Sequence, residues 1–303
     1  MEKEPLVSII MNCFNSEMYL KEAIDSVFGQ NFGDWEIIFW DNISTDDSAE
    51  IANTYGDRLK YFLSPEHTEL GIARNLALKE ARGKYVGFLD CDDLFLEDKL
   101  KNQVAFMEEY NHCMSYGSAI IIDEEGKEIK RRVTKNNSGN LFGNLLRHYE
   151  ISMQSVIIKR SLLINENLNF DTNLKYNPDF NLFMKIACKY PIGVIRAPII
   201  KYRVVANSLS SRTISIAAQE TKYTLDEIHN SSKSLRIQYA KDFKKAYAKV
   251  QYYETVAELY RGDRNKSLQQ LRPIVGAKIE YAILYGLILF LVPIRTILKV
   301  LGR

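Results

Sequence analysis

The chain has 303 residues, 46% of them hydrophobic and 26% charged, which allows a packed core and excludes wholesale disorder. A formal net charge of +2 excludes a nucleic-acid binder that works through a bulk positive field, so any basic function must come from a local cluster. Cys13, Cys91, Cys113 and Cys188 form no C-x-x-C pair, which fits neither a zinc site nor a disulfide framework and points to a reducing compartment.

Residues 1–6 are charged, and no apolar h-region follows them, so no secretory signal is expected. Residues 6–11 read as a buried strand. Asn15 and Ser16 supply cap chemistry, and Leu20, Ile24, Val27 and Phe28 then fall at helical spacing. Residues 35–40 form a second strand, 41–47 a polar turn, and a short helix runs through Ile51. A weaker strand at 61–63, a helix over 71–81 and a strand at 85–89 follow. Strands alternating with helices imply a mostly parallel sheet covered on both faces, with ligands outside the carboxyl ends of the strands. Three polar clusters sit at such ends: 12–15, 41–47 and 90–93.

Residues 120–133 read as a hairpin turning at Glu125-Gly126, 156–158 as a short strand, 179–188 as a helix and 199–205 as a further strand. Glycine and proline thin out after Ser211, and 214–271 becomes continuously helical in composition. The boundary falls near Thr213, giving an α/β domain at 1–213 and a helical region at 214–303. Residues 281–294 are almost wholly apolar and are followed by Arg295, Lys299 and Arg303. The run is shorter than the roughly 20 residues that span a bilayer. It suits an in-plane or re-entrant membrane helix; a buried core helix or an oligomer contact is the plainer alternative.

Four features carry chemistry. In Phe88-Leu89-Asp90-Cys91-Asp92-Asp93-Leu94 a hydrophobic strand ends in three carboxylates, which repel one another unless a cation or solvent separates them. A hard divalent ion shared with substrate phosphates fits, as does a solvated turn that starts the helix near Glu97. Asp41, at a strand end, can accept from an imide N–H such as that of uracil, while Ser44 to Asp47 read as a turn and N-cap. Arg74 lies in the first turn of a helix, a natural place for an anion, though a surface arginine explains it equally. Asp179 follows Asn177-Pro178 at a helix start and is either an N-cap or a functional carboxylate.

Together these features resemble family 2 glycosyltransferases, which have the GT-A fold. The landmarks are Val7-Ser8-Ile9-Ile10 leading to Asn15; 35–48; Gly71 to Asn75; Gly83-Lys84-Tyr85 to Asp93; Pro178 to Lys185; and Lys201-Tyr202-Arg203 to Ser208-Leu209. Their order and spacing are specific where each alone is weak. The resemblance implies an inverting transfer from a nucleotide-diphospho-sugar, UDP-linked by preference, to a glycan or lipid-linked acceptor in bacterial cell-surface polysaccharide assembly. The setting would be the cytoplasm, at the inner face of the membrane, with no nucleic-acid partner. It implies that Asp41 contacts the base with Asn15 beside it, and that Arg74 lines the donor site. Asp92 would ligate Mn2+ or Mg2+, with Asp90 acting on the ribose side or through water. Asp179 would be the general base, and Arg203, with Arg212, would face the departing diphosphate. Asn42 stands where the family usually has a second aspartate, Pro178 where it usually has a glutamate, and no histidine occurs between Tyr202 and Ser211.

Competing readings are a catalytically degenerate nucleotide-sugar-binding scaffold and a haloacid-dehalogenase-like phosphatase. The phosphatase would place its Asp-x-Asp near the N-terminus with Gly-Thr after it. Asp93-Leu94 follows here, far along the chain. A nicotinamide enzyme would need G-x-G-x-x-G where Asn12-Cys13-Phe14-Asn15 stands.

Overall fold

The computed structural model describes residues 4–205, 214–294 and 296–297. Ser208, Leu209, Arg212 and the boundary residue Thr213 lie outside them, as do Arg295, Lys299 and Arg303. The chain divides into two compact units, one of Met1–Phe142 with Tyr149–Ala206, the other of Gly143–His148 with Asn207–Arg303.

The first unit holds one mixed sheet, nine-stranded among the described residues. Its strands are β1 (Val7–Cys13), β2 (Trp35–Asp41), β3 (Leu59–Leu63), β4 (Tyr85–Phe88), β5 (Leu94–Phe95), β6 (Met114–Ile122), β7 (Glu128–Arg132), β8 (Ile157–Lys159) and β9 (Gly193–Arg203). Their order is β3-β2-β1-β4-β8-β6-β9-β5, with β7 paired to β6. The first four pair in parallel, and β8 runs antiparallel to β4 and β6. Helices α1 (Glu17–Phe28), α2 (Ser48–Asn53), α3 (Leu70–Glu80), α4 (Lys99–Glu109), α5 (Phe142–Arg147), α6 (Arg160–Asn165) and α7 (Pro178–Ala187) intervene.

Side chains alternate across a strand, and here both faces are covered. Val7, Ile9, Met11 and Cys13 join Leu20, Ala23, Ile24 and Val27 of α1 in one buried cluster. On the other face Phe88 meets Phe170 edge-on, with ring centroids 5.6 Å apart, and Phe183 at 6.5 Å. Gly83 permits the entry to β4. A Cβ there would lie 2.6 Å from the Ser8 nitrogen, and the Gly83 N–H donates to Ser8 Oγ at 2.8 Å.

Two sequence expectations shift. β9 starts at Gly193, six residues before 199, because its pairing with β6 slips past Pro198 through a bulge: Gly117 faces Ile195 and Ser118 faces Pro198. Proline cannot donate to a ladder, so the strand bends around it instead of ending. The two-residue β5, just after the acidic loop, has no periodicity to announce it and is fixed by its pairing to β9.

The second unit contains α8 (Ile214–Ser231), α9 (Lys233–Gln238), α10 (Ala240–Tyr260), α11 (Arg264–Leu271) and α12 (Ile279–Leu289). The helical composition of 214–271 is thus cut twice. Ser232 caps α9 by accepting from Leu235 N, and Asp263 caps α11 by accepting from Lys266 N at 2.9 Å, after Gly262 at φ 87°. Segment 143–148 belongs to this unit, where Arg147 pairs with Asp242. Tyr281, Leu284 and Ile288 of α12 are buried, whereas Ile283, Leu289 and Phe290 are exposed. No helix among the described residues is long and apolar enough to cross a membrane.

Candidate active site

The carboxyl ends of β1, β2 and β4 lie side by side, because Cys13 faces Asp41 and Ile10 faces Phe88 in parallel register. The polar clusters read from the sequence therefore meet along one rim, in two groups.

At the β1–β2 end, Asn15 and Ile43 both sit in the left-handed region, at φ 50° and 66°. For a β-branched residue such as Ile43 that conformation is strained. Asn15 is exposed, and its Oδ1 accepts from Thr45 N at 2.8 Å. Asp41 is differently placed. It is only 1% exposed, one oxygen accepting from Ser44 N at 2.7 Å and the other from Tyr61 OH at 2.6 Å. Through these bonds Asp41 holds the β2–α2 turn in place. Asn42 is also buried. Its Nδ2 donates to Thr68 O at 2.8 Å and its Oδ1 accepts from Thr68 N at 3.1 Å. An aspartate could not make the first of these bonds, so this departure from the usual aspartate has a structural purpose. His67 beside it packs against exposed Phe14, with ring centroids 4.4 Å apart.

At the β4 end, Asp90 is held by two partners. Gln154 Nε2 donates to its Oδ2 at 2.6 Å, and Arg74 approaches its Oδ1 at 3.4 Å. Arg74 is 6% exposed and lies over the Phe170 ring, so it is no surface arginine. Burial, then the charge of Asp90, push the Asp92 carboxyl up to about 6, with Arg203 opposing. Asp93 is raised further by burial and by both neighbours; one of its oxygens accepts from Arg203 N at 2.7 Å and the other is buried without a partner among the described residues. Carboxylates this crowded, one oxygen orphaned, are a donor set that a hard cation would relieve. No group of three or more His, Cys, Asp or Glu side chains among the described residues is arranged to hold a metal alone.

Asp179 stands in the first turn of α7, after Pro178 at the helix start, and is half-buried. Burial raises its carboxyl, Arg74 and the N–H groups of the helix start pull it back, and Asp90 adds to the rise. Asp179, Arg74 and Asp90 thus share one electrostatic neighbourhood although the sequence separates them widely.

Arg203, the last residue of β9, is expected from the family resemblance to face the departing diphosphate. Its side chain is 1% exposed and its donors are spent on protein. Nε bonds Asp92 O at 3.0 Å, NH1 bonds Glu124 O at 2.8 Å and NH2 bonds Glu22 Oε2 at 2.7 Å, while the guanidinium covers the Tyr19 ring. It ties the backbone of the acidic loop at Asp92 to Glu124 and Glu22.

The family model for glycosyl transferase family 2 matches residues 8–162. The chain belongs to that family. It is 31% identical over 213 residues to the Escherichia coli UDP-Glc:alpha-D-GlcNAc-diphosphoundecaprenol beta-1,3-glucosyltransferase WfgD, covering 68% of this chain and 80% of that one. An uncharacterized glycosyltransferase of Rickettsia felis is 38% identical over 200 residues, 65% of this chain. The match spans only 33% of that longer relative. Among solved structures, Staphylococcus aureus TarS 1-349 in complex with UDP-GlcNAc superposes with TM-score 0.67 at 20% identity, over 88% of this chain and 78% of that one. The mannosyltransferase PcManGT of Pyrobaculum calidifontis, in complex with GDP-Man and Mn2+, gives 0.62 at 17% identity, over 97% and 83%. The fold is therefore that of GT-A glycosyltransferases with a helical C-terminal region, and family 2 membership sets the phosphatase reading aside.

In this family 2 chain, sequence reasoning missed Gln154, Tyr149 and Arg132. The Tyr149 hydroxyl is buried without a partner among the described residues, and its ring packs edge-on to Phe180, next to Asp179. Arg132 donates to Ser152 Oγ in the loop that carries Gln154. None of these follows a motif; each is brought in by chain pairing.

Proposed function

We propose that this chain is an inverting, metal-dependent hexosyltransferase, moving a sugar from a nucleotide-diphospho-sugar, UDP-linked by preference, to an acceptor hydroxyl. The supporting observation is the meeting of Arg74, Asp90 and Asp179, with Asp92 in the same loop, at the carboxyl ends of β1 and β4. Asp179 takes the proton from the acceptor hydroxyl as that oxygen attacks the anomeric carbon, and a single displacement inverts its configuration. General-base help of this kind is worth about 10²- to 10⁴-fold. Arg74 pairs with Asp90, and its charge opposes the rise that burial imposes on the Asp179 carboxyl, which favours the ionised base. Asp92, with Asp90 acting less directly, would hold Mn2+ or Mg2+, which when bound neutralises charge on the departing diphosphate. Asn15, exposed beside Phe14 and His67, lines the base end, on a loop that Asp41 fixes from beneath.

WfgD, by its name, acts on a diphosphoundecaprenol-linked acceptor. By analogy the acceptor here is a lipid-linked or cell-surface glycan, reached from the cytoplasmic face, with the exposed apolar side of α12 resting on the lipid surface. The test is donor turnover with Mn2+ and a melting screen of UDP-, GDP- and dTDP-sugars. A ligand that binds only the folded chain raises its melting temperature. Asp92→Ala and Asp179→Asn should both lose turnover, and Asp179→Asn should still bind nucleotide. A wild-type chain that binds nucleotide-sugar but never turns it over would instead be a scaffold.

A further inference from the structure

Arg203 is engaged behind the acidic loop, and Arg212 lies outside the described residues. Arg132, the last residue of β7, is an exposed residue. It lies 5.5 Å over the Tyr202 ring and donates to Ser152 Oγ. Ser152 is two residues from Gln154, which holds Asp90. Burial, then the charges of Asp93, Asp90 and Asp92, raise the Tyr202 hydroxyl and Arg132 opposes them, so Arg132 and the acidic loop share one electrostatic neighbourhood.

Edge strands carry Lys and Arg to discourage pairing, and that explains Lys130 and Arg131. Arg131 is neutralised by Glu128 at 2.9 Å. It does not explain a guanidinium laid inward on Tyr202. Arg132 has no carboxylate partner among the described residues, and its hydrogen bond to Ser152 uses only part of its donor set. Stacking on an aromatic ring leaves the planar fork free for bidentate bonding to phosphate.

We propose that Arg132 is the cation that meets the diphosphate of the donor, a role that rests on the nucleotide-sugar reading above. The chain would then recognise the second phosphate through β7 and not through the end of β9.

Calorimetric titration of the full chain with UDP and UMP in Mn2+, and with GDP and GMP as a second pair, tests this. In Arg132→Ala the affinity for the diphosphate should fall about tenfold to a hundredfold, and that for the monophosphate by less than about threefold. Arg132→Lys should recover part of the loss, and Arg131→Ala should change neither. Arg132→Ala binding UDP as tightly as wild type, or losing UDP and UMP equally, overturns the role of Arg132 alone. A wild-type chain that takes up none of the four nucleotides overturns the functional reading as well.

Discussion

Asp179 can act as a base only when ionised, and burial holds its carboxyl above the ordinary aspartate range while Arg74 opposes the rise. Turnover should therefore fall as pH drops through that raised value. Arg74→Met removes the opposing charge, so the acid limb of the kcat–pH profile should move to higher pH; a limb that stays put would separate Arg74 from the base. Asp92 makes a prediction about stability. Its folded-state carboxyl titrates at about 6 against 3.8 when free, so between those values the folded chain holds a proton that the unfolded chain has lost. Stability from this group is full below pH 4 and is lost as pH rises toward 6. Without metal, Asp92→Asn should be more stable than wild type at pH 7 by about 1–2 kcal/mol, discounted for solvent screening, and no more stable at pH 4. Urea titrations in chelator at both pH values measure the difference. Asn42→Asp should cost about 1–2 kcal/mol, because the partly buried Thr68 carbonyl loses its donor. The Asp90–Asp92 loop, Asp179 and Arg74 were legible as residues because strand ends and helix starts are local patterns. That Asp41 and Arg203 are sealed was not legible, since Tyr61 and Glu22 reach them only through the fold.

At the level of elements, the β2–α2 turn carries strain in Ile43, whose side chain is only partly covered. Ile43→Asn should stabilise the chain by about 0.5–1 kcal/mol, because asparagine tolerates the left-handed region better. A lower urea midpoint would show that the Ile43 side chain packs more than it strains. The start of β4 behaves oppositely. Gly83→Ala would drive a Cβ into the backbone of β1, and a loss of about 1–3 kcal/mol is expected. The parallel half of the sheet was readable because each strand is a short apolar run followed by an amphipathic helix. The later strands were less so: β6 begins at Met114 and β9 at Gly193, both upstream of where their apolar runs strengthen.

At the scale of the whole molecule, the helical unit has its own buried cluster, in which Leu284 and Ile288 of α12 pack with Val256, Leu259 and Leu271. Leu284→Ala should cost about 2–5 kcal/mol. Phe290 is 81% exposed, so Phe290→Glu with Leu289→Glu should leave melting unchanged yet abolish sedimentation with anionic vesicles. Vesicle binding that survives both changes would remove α12 from the membrane proposal.

Periodicity, turn chemistry and the order of a few motifs sufficed, from the sequence by itself, for the fold class, the helical C-terminal region and the carboxylates at the strand ends. These depend on neighbours within a few residues, where spacing dictates which side chains share a face. Only the tertiary structure decided which arginine is buried and which is free, why Asn42 replaces an aspartate, and that 143–148 joins the second unit. Those outcomes depend on hydrogen bonds and burial between residues far apart in the chain, which local pattern does not encode.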